Sequence, residues 1–98
     1  MPVELVLEVT SRSTAQTVVN ALDTYKTKLR ASIGRSRRSL EQFEQQYGVT
    51  TALFLQEMTG EDLAGGDLEY VEWAGEASLL QGLEVELKEL EDVRVRVP

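Results

Sequence analysis

The 98 residues include no cysteine and no histidine. Without cysteine there can be no disulfide, iron–sulfur cluster, thiolate zinc site or thiol nucleophile. Without histidine the commonest general base and metal ligand is missing, which excludes Ser-His-Asp and Cys-His catalysis and imidazole-held haem or zinc. No stretch approaches the roughly 20 apolar residues that a membrane span requires. The start, Met1-Pro2-Val3-Glu4, lacks the basic and apolar regions of a secretory signal, so a cytoplasmic protein is expected. Aromatic residues are scarce at 6%, but 42% of the chain is hydrophobic and 28% charged. That composition belongs to one small folded domain, residues 1–98, rather than to a disordered chain.

Positive charge is also in short supply, and it is unevenly spread. Seventeen acids against ten bases leave a net charge of −7, which argues against a general nucleic-acid binder. Lys26, Lys28, Arg30, Arg35, Arg37 and Arg38 nevertheless form a basic band free of acids. From Leu40 to Asp92 fourteen acids face Lys88 alone, a local balance of −13. One reading is that the two regions neutralise each other, within the chain or across a dimer. The other is that the basic band is offered to an acidic partner or to RNA, since arginine grips phosphate and carboxylate equally well.

The hydropathy pattern predicts a mainly α fold of long antiparallel helices with coiled-coil-like seams, plus a small β-ribbon formed by the terminal strands. Val3, Leu5, Leu7 and Val9 alternate with Glu4, Val6, Glu8 and Thr10, a strand over 3–10. Val93, Val95 and Val97 alternate with Arg94 and Arg96, a strand over 93–97. Glutamates on one polar face and arginines on the other favour pairing of the two ends over self-pairing.

Between them, Ala15, Val18, Leu22, Tyr25, Leu29, Ile33, Leu40, Phe43 and Tyr47 mark a helix over 13–47, with Ser36 filling a gap in the heptad seam. Gly34 leaves open a bend there. A helix of roughly 50 Å exceeds the diameter of a compact domain of this length and implies a partner helix, hence a homo-oligomer. Tyr47-Gly48 is its stop. Thr50 or Thr51 caps a short helix over 51–59, Thr59 to Gly66 form a loop, and Asp67 caps a helix over 67–91. The last helix carries a stripe of Trp73, Leu80, Leu83, Leu87 and Leu90, with a weaker one of Tyr70, Ala74, Ala77 and Val85. Leu22, Tyr25, Leu29 and Ile33 on one helix and Trp73, Glu76, Leu80, Leu83 and Leu87 on the other are the expected subunit interface.

No residue set points to catalysis or to a cofactor. Glu69, Glu72 and Glu76 share one side of the last helix, but carboxylate metal sites in bundles also draw on histidine or on several helices. A solvated face accounts for them. Glu76 is different, because it stands inside the apolar stripe. An unpaired carboxylate there would be costly, so a hydroxyl or an arginine is its expected partner, or else it rests in water or contacts another protein. A helix-turn-helix reading of 51–91 fails, because its reading helix would be acidic.

The most distinctive string runs from Leu40-Glu41-Gln42-Phe43-Glu44-Gln45-Gln46-Tyr47-Gly48, through Phe54-Leu55 and Gly60-Glu61-Asp62-Leu63, to Asp67-Leu68-Glu69-Tyr70-Val71-Glu72-Trp73-Ala74-Gly75-Glu76. It resembles a family of small bacterial proteins with an F-E-x-x-Y-G helix end and an E-W-A-G-E helix start, some of them described as antitoxin components of toxin–antitoxin pairs. The resemblance covers residues 39–92. It departs from the family's usual G-E-L-G-D-D loop, which here reads Gly60-Glu61-Asp62-Leu63-Ala64-Gly65-Gly66-Asp67. It implies a non-enzymatic interaction subunit, antitoxin-like, neutralising a basic partner encoded nearby. The alternative is an RNA- or DNA-associated module using 26–38.

Overall fold

In the computed structural model, which describes residues 5–57 and 68–98, Ser11 opens the first helix. Its Oγ accepts the Thr14 amide at 3.1 Å and its carbonyl the Ala15 amide at 3.0 Å, which supplies partners for the otherwise unpaired first turn. Helix α1 then runs from Arg12–Tyr47, 36 residues, and is helical through Gly34. It stops where expected: Gly48 takes φ 70°, and its amide bonds the Glu44 carbonyl at 2.8 Å.

Two side chains start helix α2, Thr51–Glu57. Thr50 Oγ1 accepts the Leu53 amide at 3.1 Å, and Glu44 Oε2 accepts the Thr51 amide at 2.7 Å. Thr50 is therefore the cap, and the Thr51 hydroxyl is left for another bond. Helix α3, Leu68–Glu91, packs against α1. Met58, the loop over 59–66 and the Asp67 cap lie outside the described residues, as do Val3 and Glu4 of the N-terminal strand.

The chain divides into two compact units, residues 1–32 with 83–98, and residues 33–82. The first holds the sheet. Strand β1, Val6–Glu8, pairs in parallel with β2, Arg94–Arg96, placing Val6 opposite Arg94, Leu7 opposite Val95 and Glu8 opposite Arg96. The termini thus share a sheet, over three residues each rather than the longer spans expected. A parallel pair needs a crossover connection, and the helices between the strands provide it. The Arg94 amide donates to the Leu5 carbonyl at 2.8 Å and the Val9 amide to the Arg96 carbonyl at 3.0 Å, extending the ladder at both ends. Leu7, Val9, Val93 and Val95 are half-buried, while Leu5 is exposed, so the apolar strand face is only partly covered. Among the described residues of this unit Leu29 is buried, with Leu22, Leu83, Leu87 and Leu90 half-buried.

The second unit holds an aromatic core. Leu40, Phe54 and Trp73 are buried, and Phe43, Tyr47, Val49, Tyr70, Ala74, Ala77 and Leu80 pack against them. Five of the six aromatic residues meet here. The Phe54 and Trp73 rings lie parallel with centroids 3.9 Å apart, Phe43 stacks on Trp73 at 5.5 Å, and Tyr70 meets Phe54 edge-on. Trp73 is wholly buried, and at about 25 cal/mol per Å² over roughly 200 Å² its burial contributes at most about 5 kcal/mol. Its indole N–H donates to Thr51 Oγ1 at 2.9 Å, so the one polar atom of the ring is satisfied. That bond draws on the hydroxyl that capping leaves available.

Candidate functional site

The seam residues of α1 follow the predicted heptad. Leu29, Ile33, Ser36 and Leu40 are the buried positions, at steps of four, three and four. Within 33–82, Ser36 Oγ donates to Glu76 Oε1 at 2.7 Å, and Gln46 Nε2 donates to Glu69 Oε2 at 3.2 Å. Rising numbers on α1 meet falling numbers on α3, so the two helices run antiparallel there. The Tyr47 hydroxyl also donates to Glu69. In the other unit the Tyr25 hydroxyl donates to Glu86. That hydrogen bond, followed by partial desolvation and the nearby negative charge, raises the Tyr25 phenol above its ordinary value of 10.0.

These contacts change the role expected for the seam. Trp73, Leu29 and Ile33 are buried within the chain alone, and Leu80, Leu83, Leu87 and Glu76 are half-buried. A subunit interface was expected of them; within the chain α3 packs against α1, and the buried ones are covered there. Tyr25 is 45% exposed and sits at the seam's edge, its hydroxyl carrying the contact to α3. Tyr70, Ala74 and Ala77 pack on the same aromatic core rather than forming a second buried face.

The three glutamates considered for a metal part ways. Glu69 goes to Tyr47 and Gln46, Glu76 goes to Ser36, and Glu72 has no hydrogen-bonding partner among the described residues. No group of three metal-ligating side chains converges among the described residues. Nor does any helix of the described residues have the length and apolarity to cross a membrane.

The basic band does not form one stripe. Successive helical residues are about 100° apart, which puts Lys26, Arg30 and Arg37 along one flank of α1 and Lys28, Arg35 and Arg38 on a separate side. Lys26 is half-buried and pairs with Asp23 at 3.6 Å, and the other five are exposed.

Two features of unit 33–82 were missed from the sequence. The first is a row on the outer side of α3. Leu68, Val71 and Leu79 are 68%, 43% and 51% exposed, with Gly75 between the last two. The spacing 68, 71, 75, 79 is helical and was legible, but the stronger Trp73 stripe drew the assignment. The second is a groove of about 490 Å³ beside that row. Ser39, Gln42, Phe43 and Gln46 line it from α1, and Glu72, Gly75 and Glu76 from α3. Phe43, Ser39 and Glu76 are half-buried, while Gln42, Gln46, Glu72 and Gly75 are exposed. Among the described residues the groove's lining carries two carboxylates and no cation, while Arg35 and Arg38 stand one turn before Ser39 and Gln42 on α1. No signal in a single sequence pairs 39–46 with 72–76.

Compared with known proteins, the chain matches no family model, no curated protein and no solved structure.

Proposed function

We propose that this protein is a non-enzymatic interaction subunit, antitoxin-like, that binds and neutralises a basic partner protein. The observation that carries the reading is the outer side of α3 in unit 33–82. It presents Leu68, Val71 and Leu79 to solvent beside the carboxylate of Glu72. Exposed apolar side chains next to uncompensated negative charge suit a partner that brings apolar contacts and lysine or arginine together. The resemblance of 39–92 to antitoxin components supports the same class, and so does a chain without cysteine or histidine. A homo-oligomer was expected from the length of α1, and α3 packs against α1 within the chain. Self-association is therefore no part of the proposal.

The test is co-expression with any small basic protein encoded beside this one. The expected result is a salt-sensitive complex and relief of growth arrest, both lost in Leu79→Lys and Val71→Lys. A partner bound equally well by both variants would overturn the reading.

The second reading is nucleic-acid binding through 26–38, favoured by the exposure of Lys28, Arg30, Arg35, Arg37 and Arg38. Salt-dependent RNA or DNA binding that disappears when Arg35, Arg37 and Arg38 are replaced would put it first.

A further inference from the structure

We propose that the groove between α1 and α3 receives the guanidinium of an arginine on the partner polypeptide. The inference rests on the partner-binding reading and names what the partner must carry. The groove is large enough for a whole arginine side chain, at about 490 Å³, and lies within the range of ligand clefts, about 300–1,000 Å³.

Its chemistry selects a planar cation. Glu72 and Glu76 stand one helical turn apart on the α3 wall. Ser36 engages Oε1 of Glu76, and the other oxygen has no partner among the described residues. The Glu72 carboxylate likewise has none. Two carboxylates with open lone pairs match the fork of donors on a guanidinium, which an ammonium, as a point charge, matches less well. The half-buried Phe43, one face of which stacks on Trp73, lines the wall and adds aromatic surface against which a guanidinium packs. Gln42 and Gln46 add amide oxygens at the rim.

Gly75 belongs to the same wall. It is mid-helix, where glycine costs about 1 kcal/mol relative to alanine. A Cβ built there would meet nothing within 4 Å, and the backbone needs no positive φ. Packing within the chain gives no reason for glycine here, as it gives none at Gly82 on the same helix, and the bare position leaves the groove wall open.

The source of the guanidinium follows from the neighbours. Leu68 precedes Glu72 by one turn and Leu79 follows Gly75 by one turn, both exposed. Free arginine would leave these leucines in water, whereas a polypeptide carrying arginine between apolar residues covers them. The site thus fits an amphipathic helix with arginine on its apolar margin.

The experiment titrates the full-length protein, observed by amide NMR, with a short amphipathic peptide bearing one arginine. Its citrulline and lysine counterparts and free arginine are run alongside. Saturable shifts at Gln42, Gln46 and Gly75 are expected with the arginine peptide. Binding about tenfold weaker or more is expected for the citrulline peptide and for the Glu72→Gln protein, and weaker binding for free arginine. Gly75→Leu should abolish the shifts, and Gly75→Ala should melt no lower than the parent, showing that the position tolerates a side chain. Equal binding of arginine and citrulline peptides, or shifts confined to another surface, overturns the proposal. Free arginine binding as tightly as the peptide overturns its polypeptide source. A neighbouring basic protein that binds Gly75→Leu at full affinity refutes the groove alone. Arginine-peptide binding without any such protein refutes the partner reading alone.

Discussion

The Ser36 hydroxyl donates to Glu76 Oε1 at 2.7 Å, and both residues occupy positions in the helical seams where an apolar side chain would be expected. Ser36 is 2% exposed. Small polar donor and long polar acceptor meet in one layer, and each would be a buried liability opposite leucine. A helix slipped by one turn separates them, so the pair selects one register of α1 against α3.

Replacing one partner should therefore be worse than replacing both. Glu76→Leu leaves the Ser36 hydroxyl without its acceptor and should cost about 1–3 kcal/mol, less whatever the added leucine regains by burial. The double change Ser36→Ala with Glu76→Leu should recover most of that loss. Urea unfolding of the four proteins in a double-mutant cycle measures the coupling, and additive effects would refute it.

Trp73 should dominate the stability of unit 33–82. Trp73→Ala removes the centre of the aromatic core and should cost about 3–5 kcal/mol. Thr51→Val keeps the shape but leaves the indole N–H without its 2.9 Å acceptor, for about 1–3 kcal/mol. As the protein has a single tryptophan, its fluorescence reports the change directly. A parent emission already at the water-exposed maximum would contradict the burial.

Tyr25 should titrate above an ordinary tyrosine. The protonated phenol donates to Glu86, so deprotonation breaks the contact. A folded-state pKa raised above its unfolded value contributes stability that is fully present below about pH 10 and lost as pH rises through the folded value. Phenolate absorbance should show a late-titrating component that is absent in Tyr25→Phe and shifted down in Glu86→Gln. Titration unchanged by Glu86→Gln would show that the contact does not set it.

Arg94→Pro should detach the C-terminal strand. It removes the amide that donates to Leu5 and the regular backbone that places Arg96 opposite Glu8. Hydrogen exchange at the Val9 amide, which bonds the Arg96 carbonyl, should then accelerate while α3 amides stay protected. Equal protection in the variant would argue against the parallel pairing.

Much of the architecture could be read before any fold was known, because the signals are local. Thr50 and Gly48 are start and stop residues whose side chain or φ acts on backbone within four residues, and the Ser11 cap is as local, though the expected helix began at 13 without it. The Leu29–Ile33–Ser36–Leu40 seam follows from 3.6 residues per turn. Alternation at both ends marks strands, and opposite charges on their polar faces indicate that they pair. The direction of that pairing is not local. It depends on how the helices return the chain, and the parallel ladder of Val6–Glu8 with Arg94–Arg96 emerges only in the fold.

By itself the sequence determined which residue types were present and which helix face each occupied. It could say that Glu76 needs a partner, because a carboxylate among leucines must be satisfied. It could not say that the partner is Ser36, forty residues away, rather than an arginine. It determined that α1 needs a covering helix, but not that α3 of the same chain packs against it, since intrachain and intermolecular seams carry the same heptad. The groove beside Gly75 was decided by tertiary structure alone. A concave site exists only where two helix surfaces diverge, and that separation depends on side chains from both helices packing at once.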